Sequence, residues 1–187
     1  MELLGQRTIH SGWGRFLMLS VRMAGGAVVE RQLDDHGSAS AVLPYDAGRK
    51  VALLVRQPRA GPLFLGEDPM LLEAAAGIID PGETGESTAQ REAMEEVGVR
   101  LGALESVTRA FSCPGVSSEV MHLYLAPYAA EDRVAAGGGL VDEHEEIEVL
   151  ELPLAEVARL ADAGAVRDLK TLVLIQALRL RRPELFL

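Results

Sequence analysis

Three glutamates, Glu92, Glu95 and Glu96, fall at i, i+3 and i+4 within a stretch of helical periodicity. That spacing places their carboxylates on one face of a helix. Like charges so arranged repel one another by roughly 0.2–0.5 kcal/mol per pair. A hard divalent cation would remove the repulsion, because Mg²⁺ takes oxygen ligands and bridges to phosphate oxygens while keeping some of its water. The triplet alone also suits an ordinary solvated helix face, and by itself it leaves both readings open. Ala89, Ala93 and Val97, at i, i+4 and i+8, form another face suited to packing on a sheet.

Other elements must position this helix. Pro81-Gly82 marks a turn before it. Ser87 with Gln90 three residues on fits a capping box, which predicts a start near Ser87, and Gly98 fits the stop. Upstream, Arg15–Met23 and Ala27–Leu33 read as strands of a hairpin around Gly25-Gly26. Ala39–Tyr45 and Lys50–Arg56 read as two more strands, Gln57–Asp68 as a Pro- and Gly-bearing loop, and Met70–Ala76 as one short strand. Downstream, Leu104–Phe111 and Val120–Pro127 read as strands flanking a loop at Pro114-Gly115. Ala135–Gly139 reads as a flexible loop, Ile147–Leu152 as a strand ended by Pro153, and Leu154–Ala163 and Asp168–Arg181 as amphipathic helices.

Composition bounds the function. A chain of 187 residues, 48% hydrophobic and 25% charged, suits one globular domain with a sizeable core. The single cysteine, Cys113, has no partner for an internal disulfide and fits a reducing compartment. Arg22 interrupts the apolar stretch from Phe16 to Val29, which is too short to span a bilayer. The expectation is a cytoplasmic protein with no membrane segment. A net charge of −10 argues against binding long nucleic acid through a general field. Any phosphate must instead be met by metal ions or by a few well-placed basic residues. His10, His36, His122 and His144 show no metal-ligand spacing.

The stretch Gly77–Val99 reads GIIDPGETGESTAQREAMEEVGV. Gly77, five residues, Glu83, seven residues and then Arg91-Glu92-Ala93-Met94-Glu95-Glu96-Val97-Gly98-Val99 resemble the Nudix box, departing from it at Ala93, where the family carries a bulkier aliphatic residue. The resemblance implies an α/β fold, an α/β/α sandwich around a mixed sheet, joined to an N-terminal antiparallel β-sheet. It implies Mg²⁺-dependent hydrolysis of a diphosphate, with two or three ions and Mn²⁺ as a substitute. Glu92 and Glu96 match metal-binding carboxylates, Glu95 a further ligand, and the carbonyl of Ala76 a backbone ligand. Arg91 and Glu83 match the pair that holds loop and helix in register. Gly77 and Gly98 match structural positions of the motif.

Substrate choice must come from outside the box. Pro114, sixteen residues beyond Gly98, resembles the nucleotide-sugar branch, which includes ADP-ribose and GDP-mannose pyrophosphatases. The glycines at 137–139, the acidic run from Asp142 to Glu148 and Arg167-Asp168-Leu169-Lys170-Thr171 are similar to the GDP-mannose enzymes, as is Arg56-Gln57-Pro58-Arg59. This likeness implies a nucleotide-sugar substrate, GDP-mannose first and ADP-ribose as the alternative. Glu145 matches the loop residue that binds metal or activates water, with Glu143 and Glu146 as rivals one or two positions away. Arg59, Lys170 and Glu119 match substrate-contacting residues. Arg31 resembles a basic residue contributed across a homodimer, and Trp13 is a candidate to stack on the base. Residues 1–36 are then the dimerising strands and 37–187 the hydrolase domain. A non-catalytic nucleotide sensor on the same fold would show eroded box carboxylates, whereas here they are complete.

Overall fold

The computed structural model describes residues 1–140 and 146–187. Two sheets organise the chain. The first is an antiparallel meander of β1 (Glu2–Ser11), β2 (Arg15–Arg22) and β3 (Val28–Asp35). β2 and β3 match the predicted hairpin. β1 was not anticipated, and the reason is physical. All ten of its residues are exposed, so no buried face imposes an apolar alternation on it.

The second sheet is mixed. Its main path runs β10 (Glu148–Pro153), β5 (Val51–Pro58), β4 (Ala39–Asp46), β9 (Val120–Pro127) and β8 (Glu105–Phe111). β6 (Met70–Glu73) extends from β5, and β7 (Ala75–Ile78) from β4. β4 and β9 are parallel, with Ala41 opposite Leu123, and the other pairings are antiparallel. The segment from Met70 to Ala76 is therefore two strands, not one. It leaves β5 after Glu73 and joins β4 from Ala75.

β4 is buried along its whole length, and its alternation sorts residues to two cores. Ala41, Leu43 and Tyr45, with Ala52 and Leu54 of β5, face α3 (Leu154–Asp162) and α4 (Leu169–Arg181). Val42, with Leu53 and Val55, faces α2 (Gly85–Val97). Helices on both faces cover the sheet, as the sandwich architecture requires. Removing a wholly buried leucine such as Leu43 or Leu54 from this interior forfeits about 2–5 kcal/mol.

Three local expectations need correction. α2 starts earlier than Ser87: its N-cap is Thr84, which accepts a hydrogen bond from Ser87 N at 3.1 Å, while Ser87 Oγ accepts from Thr84 N at 2.9 Å. Gln90 plays no part in the cap; its side-chain amide donates to Gly102 O at 2.9 Å. The Gln57–Asp68 connection contains a short helix, α1 (Ala60–Phe64). The Ala135–Gly139 loop is held by hydrogen bonds: Gly138 N and Gly139 N donate to the carbonyls of Glu96 and Glu95, at 2.8 and 3.0 Å. Among the described residues, no helix is long and apolar enough to cross a membrane.

Candidate active site

α2 is capped at both ends, by Thr84 and by Gly98 in the left-handed conformation at φ 68°. Its buried residues are Gly85, Thr88, Ala89, Glu92, Ala93, Glu96 and Val97. These recur every three to four residues, so Glu92 and Glu96 occupy the stripe that an ordinary helix fills with apolar side chains. Glu92 is 9% exposed and Glu96 2%. Carboxylates are placed there only with compensation. Part of it is visible: Glu96 Oε2 accepts from the backbone N–H of Ala76 at 3.0 Å. Gly77 explains how Glu92 fits, because a Cβ at that position would lie 1.7 Å from Glu92 Oε1.

Arg91 ties the loop before α2 to the helix. Its Nε and Nη2 donate to the two oxygens of Glu83 at 3.1 and 3.2 Å, and Nη2 also reaches the carbonyl of Ile78 at 3.2 Å. Its Nη1 donates to Glu92 Oε1 at 2.7 Å and to Glu95 Oε2 at 3.0 Å. The guanidinium, together with the Thr88 hydroxyl, holds the Glu83 carboxyl down at about 2. Asp80 lies 3.9 Å from the same guanidinium, so one cation serves four carboxylates, and Glu96 adds a fifth negative group nearby.

The resulting excess of negative charge fits a hard divalent cation. Glu92, Glu95 and Glu96 offer only carboxylate oxygens, the donor type that Mg²⁺ prefers. Among the described residues no three such side chains close into a ready-made metal cluster. Arg91 is the group that bridges Glu92 and Glu95 instead.

A cavity of about 420 Å³ opens over this face, lined by Glu92, Glu95, Arg91, Ala76 and Gly77. It adjoins a second cavity of about 410 Å³. Trp13, His36, Arg59, Ala76, Gly77 and Ile78 line both. The second cavity has apolar walls, among them Phe111, Met121 and Val173, and a polar end at Arg59, Lys170 and Asp168.

That polar end is built on Glu73, a residue the sequence reading passed over. Glu73 is 1% exposed at the end of β6. Arg59 grips it with two hydrogen bonds, from Nε at 2.8 Å and Nη2 at 2.9 Å, and Lys170 Nζ donates at 2.5 Å. Burial alone would raise its pKa, but the two cations outweigh burial and the carboxyl sits below its usual value. Asp168 caps α4 by accepting from Thr171 N at 2.9 Å, and it also takes Lys170 Nζ at 3.0 Å. Thr171 Oγ1 in turn accepts from Ala74 N at 2.7 Å, at the point where the chain crosses from β6 to β7. The signal for Glu73 was present in the sequence: a charge inside an apolar strand demands a partner.

At the opposite lip, Trp13 is 82% exposed, so it is not a core residue, and it stacks on His36 with ring centroids 5.1 Å apart. His36, also unassigned from sequence, bridges Asp34 at 2.9 Å and Glu119 at 3.3 Å. The structure thus brings Trp13, Glu119, Arg59, Lys170, Ala76, Glu92 and Glu95 around two joined cavities, with Glu96 buried beside them on the same helix. Arg31 is not among them: it lies exposed on β3, its Nη1 bonded to the carbonyl of Glu30. Glu145 and Glu143 lie outside the described residues, and Glu146 is exposed just before β10.

A carboxylate helix clamped to a mixed sheet beside a cation-lined cavity is the architecture of a diphosphate-directed hydrolase, and sequence comparison agrees. The NUDIX domain profile matches residues 35–173. The chain belongs to the Nudix hydrolase family. It is 41% identical to a GDP-mannose pyrophosphatase of Cronobacter sakazakii, over 81% of this chain and 78% of that one. It is 36% identical to a GDP-mannose pyrophosphatase of Klebsiella pneumoniae, over 96% and 91%. A solved structure titled as an ADP compounds hydrolase shares the fold at a TM-score of 0.77, with 20% identity, 98% of this chain covered and 94% of the other.

Proposed function

We propose that this protein hydrolyses the diphosphate of a nucleotide sugar with Mg²⁺, and that the substrate is GDP-mannose, converted to GMP and mannose 1-phosphate. The observation that carries this reading is the junction of the two cavities: Arg59 lines both, so one bound diphosphate can meet the carboxylate face and the Arg59–Lys170 end together. The choice of GDP-mannose rests on the named activity of the relatives.

Glu92, Glu95, Glu96 and the Ala76 carbonyl would hold the metal. Mg²⁺, when bound, supplies neutralisation of the diphosphate charge and polarisation of its phosphorus. Arg59 and Lys170 orient the diphosphate from the other side. Trp13 and Glu119 meet the nucleoside end, Trp13 by stacking and Glu119 by accepting hydrogen bonds. Water adds to one phosphorus, the bridging P–O bond breaks, and the leaving phosphate keeps the bridging oxygen. Glu145, assigned by the family resemblance, takes the proton of the attacking water. Residues 1–36 join two copies into a cytoplasmic homodimer, across which Arg31 approaches the partner's substrate.

A second reading, ADP-ribose cleaved to AMP and ribose 5-phosphate, needs no more than the spacing of Pro114 from the box, which the enzymes for both substrates share. A panel of GDP-mannose, ADP-ribose and related compounds with Mg²⁺, followed by ³¹P NMR, separates the two. GDP-mannose is expected to be turned over fastest. Much faster turnover of ADP-ribose would transfer the assignment to the second reading, and no Mg²⁺-dependent hydrolysis of either would remove both.

A further inference from the structure

Arg59 and Lys170 approach from different parts of the fold, the end of β5 and the first turn of α4, yet they meet on one buried carboxylate. A long cationic side chain at a cavity wall ordinarily samples many rotamers, and ordering it on binding weakens affinity. Here the ordering is already done. Glu73 engages Nε and Nη2 of Arg59, and among the described residues Nη1 makes no hydrogen bond. Lys170 is fixed twice, by Glu73 and by Asp168. The Glu73 backbone is anchored too, because β6 pairs with β5 at Val55 and the next residue, Ala74, donates to Thr171.

We propose that Glu73 is a positioning residue that locks Arg59 and Lys170 into one preorganised wall and presents the free Nη1 edge of Arg59 to the substrate diphosphate. The inference rests on the reading that Arg59 faces a diphosphate, a group common to GDP-mannose and ADP-ribose. It assigns Glu73 an effect on substrate affinity that passes chiefly through Arg59, which it grips with two hydrogen bonds, and to a smaller extent through Lys170, which Asp168 also holds. Net charge is not the device: Glu73 and Asp168 balance Arg59 and Lys170, so the wall acts through geometry.

The test uses Glu73→Gln and Glu73→Asp in the full chain, each checked by thermal melt. Trp13 is the single tryptophan and lines both cavities, so quenching of its fluorescence by GDP-mannose reads binding without turnover. Glu73→Gln is expected to weaken binding and raise KM about tenfold with a smaller change in kcat. Glu73→Asp keeps the charge but withdraws the carboxylate by one methylene, and it is expected to lose nearly as much. In an Arg59→Ala background, Glu73→Gln should cost less than about threefold more. Full rescue by Glu73→Asp would show a charge-balancing role and overturn the proposal. So would an equal loss with and without Arg59, or unchanged GDP-mannose binding in both Glu73 variants. A wild-type chain that binds GDP-mannose in a Glu73-dependent way but hydrolyses no nucleotide sugar would sink the proposed function and leave this inference standing.

Discussion

Two charge clusters border the joined cavities, and they differ in charge balance. Beside α2, one guanidinium, Arg91, serves four carboxylates, Asp80, Glu83, Glu92 and Glu95. At the Arg59–Lys170 end, two carboxylates, Glu73 and Asp168, balance two cations, Arg59 and Lys170, with Glu73 gripping both. The first cluster has negative charge to spare and suits metal cations. The second exposes a cationic edge and suits phosphate oxygens. A diphosphate between them, bridged to metal on one side, would complete both. On the proposed function, the acidic chain would meet an anion with its few site cations at one end and with bound metal at the other.

The largest loss of activity is expected at the carboxylates of α2. Glu92→Gln or Glu96→Gln keeps the shape of the buried stripe but removes a charge that the proposed function assigns to metal binding. Several kcal/mol of charge stabilisation are at stake, and kcat is expected to fall about 10³-fold. Steady-state rates at saturating Mg²⁺, with circular dichroism to confirm folding, check this. Full Mg²⁺-dependent turnover in Glu92→Gln would refute the metal assignment of the whole helix face.

Removing the hub of the acidic cluster has a different signature. Arg91→Ala leaves Glu83, Glu92 and Glu95 facing one another without their shared cation. With the Arg91 side chain 29% exposed, solvent screens part of the loss, and about 2 kcal/mol of stability is expected to go. If these carboxylates bind Mg²⁺ as proposed, the ion should return part of it, because it would bind the folded chain and not the unfolded one. The melting temperature of Arg91→Ala should therefore rise with Mg²⁺ more than that of Glu73→Gln, whose lost charge lies in the other cluster. Equal Mg²⁺ responses would show that the two clusters are not distinct in the way their charges imply.

The sequence shows one cluster far more clearly than the other, for a physical reason. Arg91, Glu92, Glu95 and Glu96 are neighbours on one helix, so a local pattern contains them. Arg59, Glu73, Lys170 and Asp168 come from three separate elements, and no local period links them. Family resemblance pointed to Arg59 and Lys170, but Glu73 sat unread inside a strand. The same logic covers the fold. β4 and β5 follow from alternation that two buried faces enforce, whereas β1, exposed throughout, carries no such imprint. The cap at Thr84 was missed because Ser87 matches the local motif equally well, and only the hydrogen bonds show Ser87 as the third helical residue.

The two clusters should also differ, more subtly, in their response to acid. Glu83 is exposed enough for water to screen it, yet Arg91 and Thr88 hold its pKa at about 2, below the ordinary 4.5. A carboxyl depressed by folding contributes fully above its unfolded pKa and loses that contribution as pH falls through the folded value. The stabilising effect of Glu83 is thus present at neutral pH and fades between 4.5 and about 2. Glu83→Gln never has it. Melting temperatures of wild type and Glu83→Gln, compared on descent from neutral pH toward about pH 3, should differ modestly at first and then converge. Glu73 is also depressed, but by two cations against the opposing effect of burial, so Glu73→Gln should start further from wild type before it too converges in acid. A gap for Glu83→Gln that widens on acidification would mean that Arg91 does not hold Glu83 in its charged form.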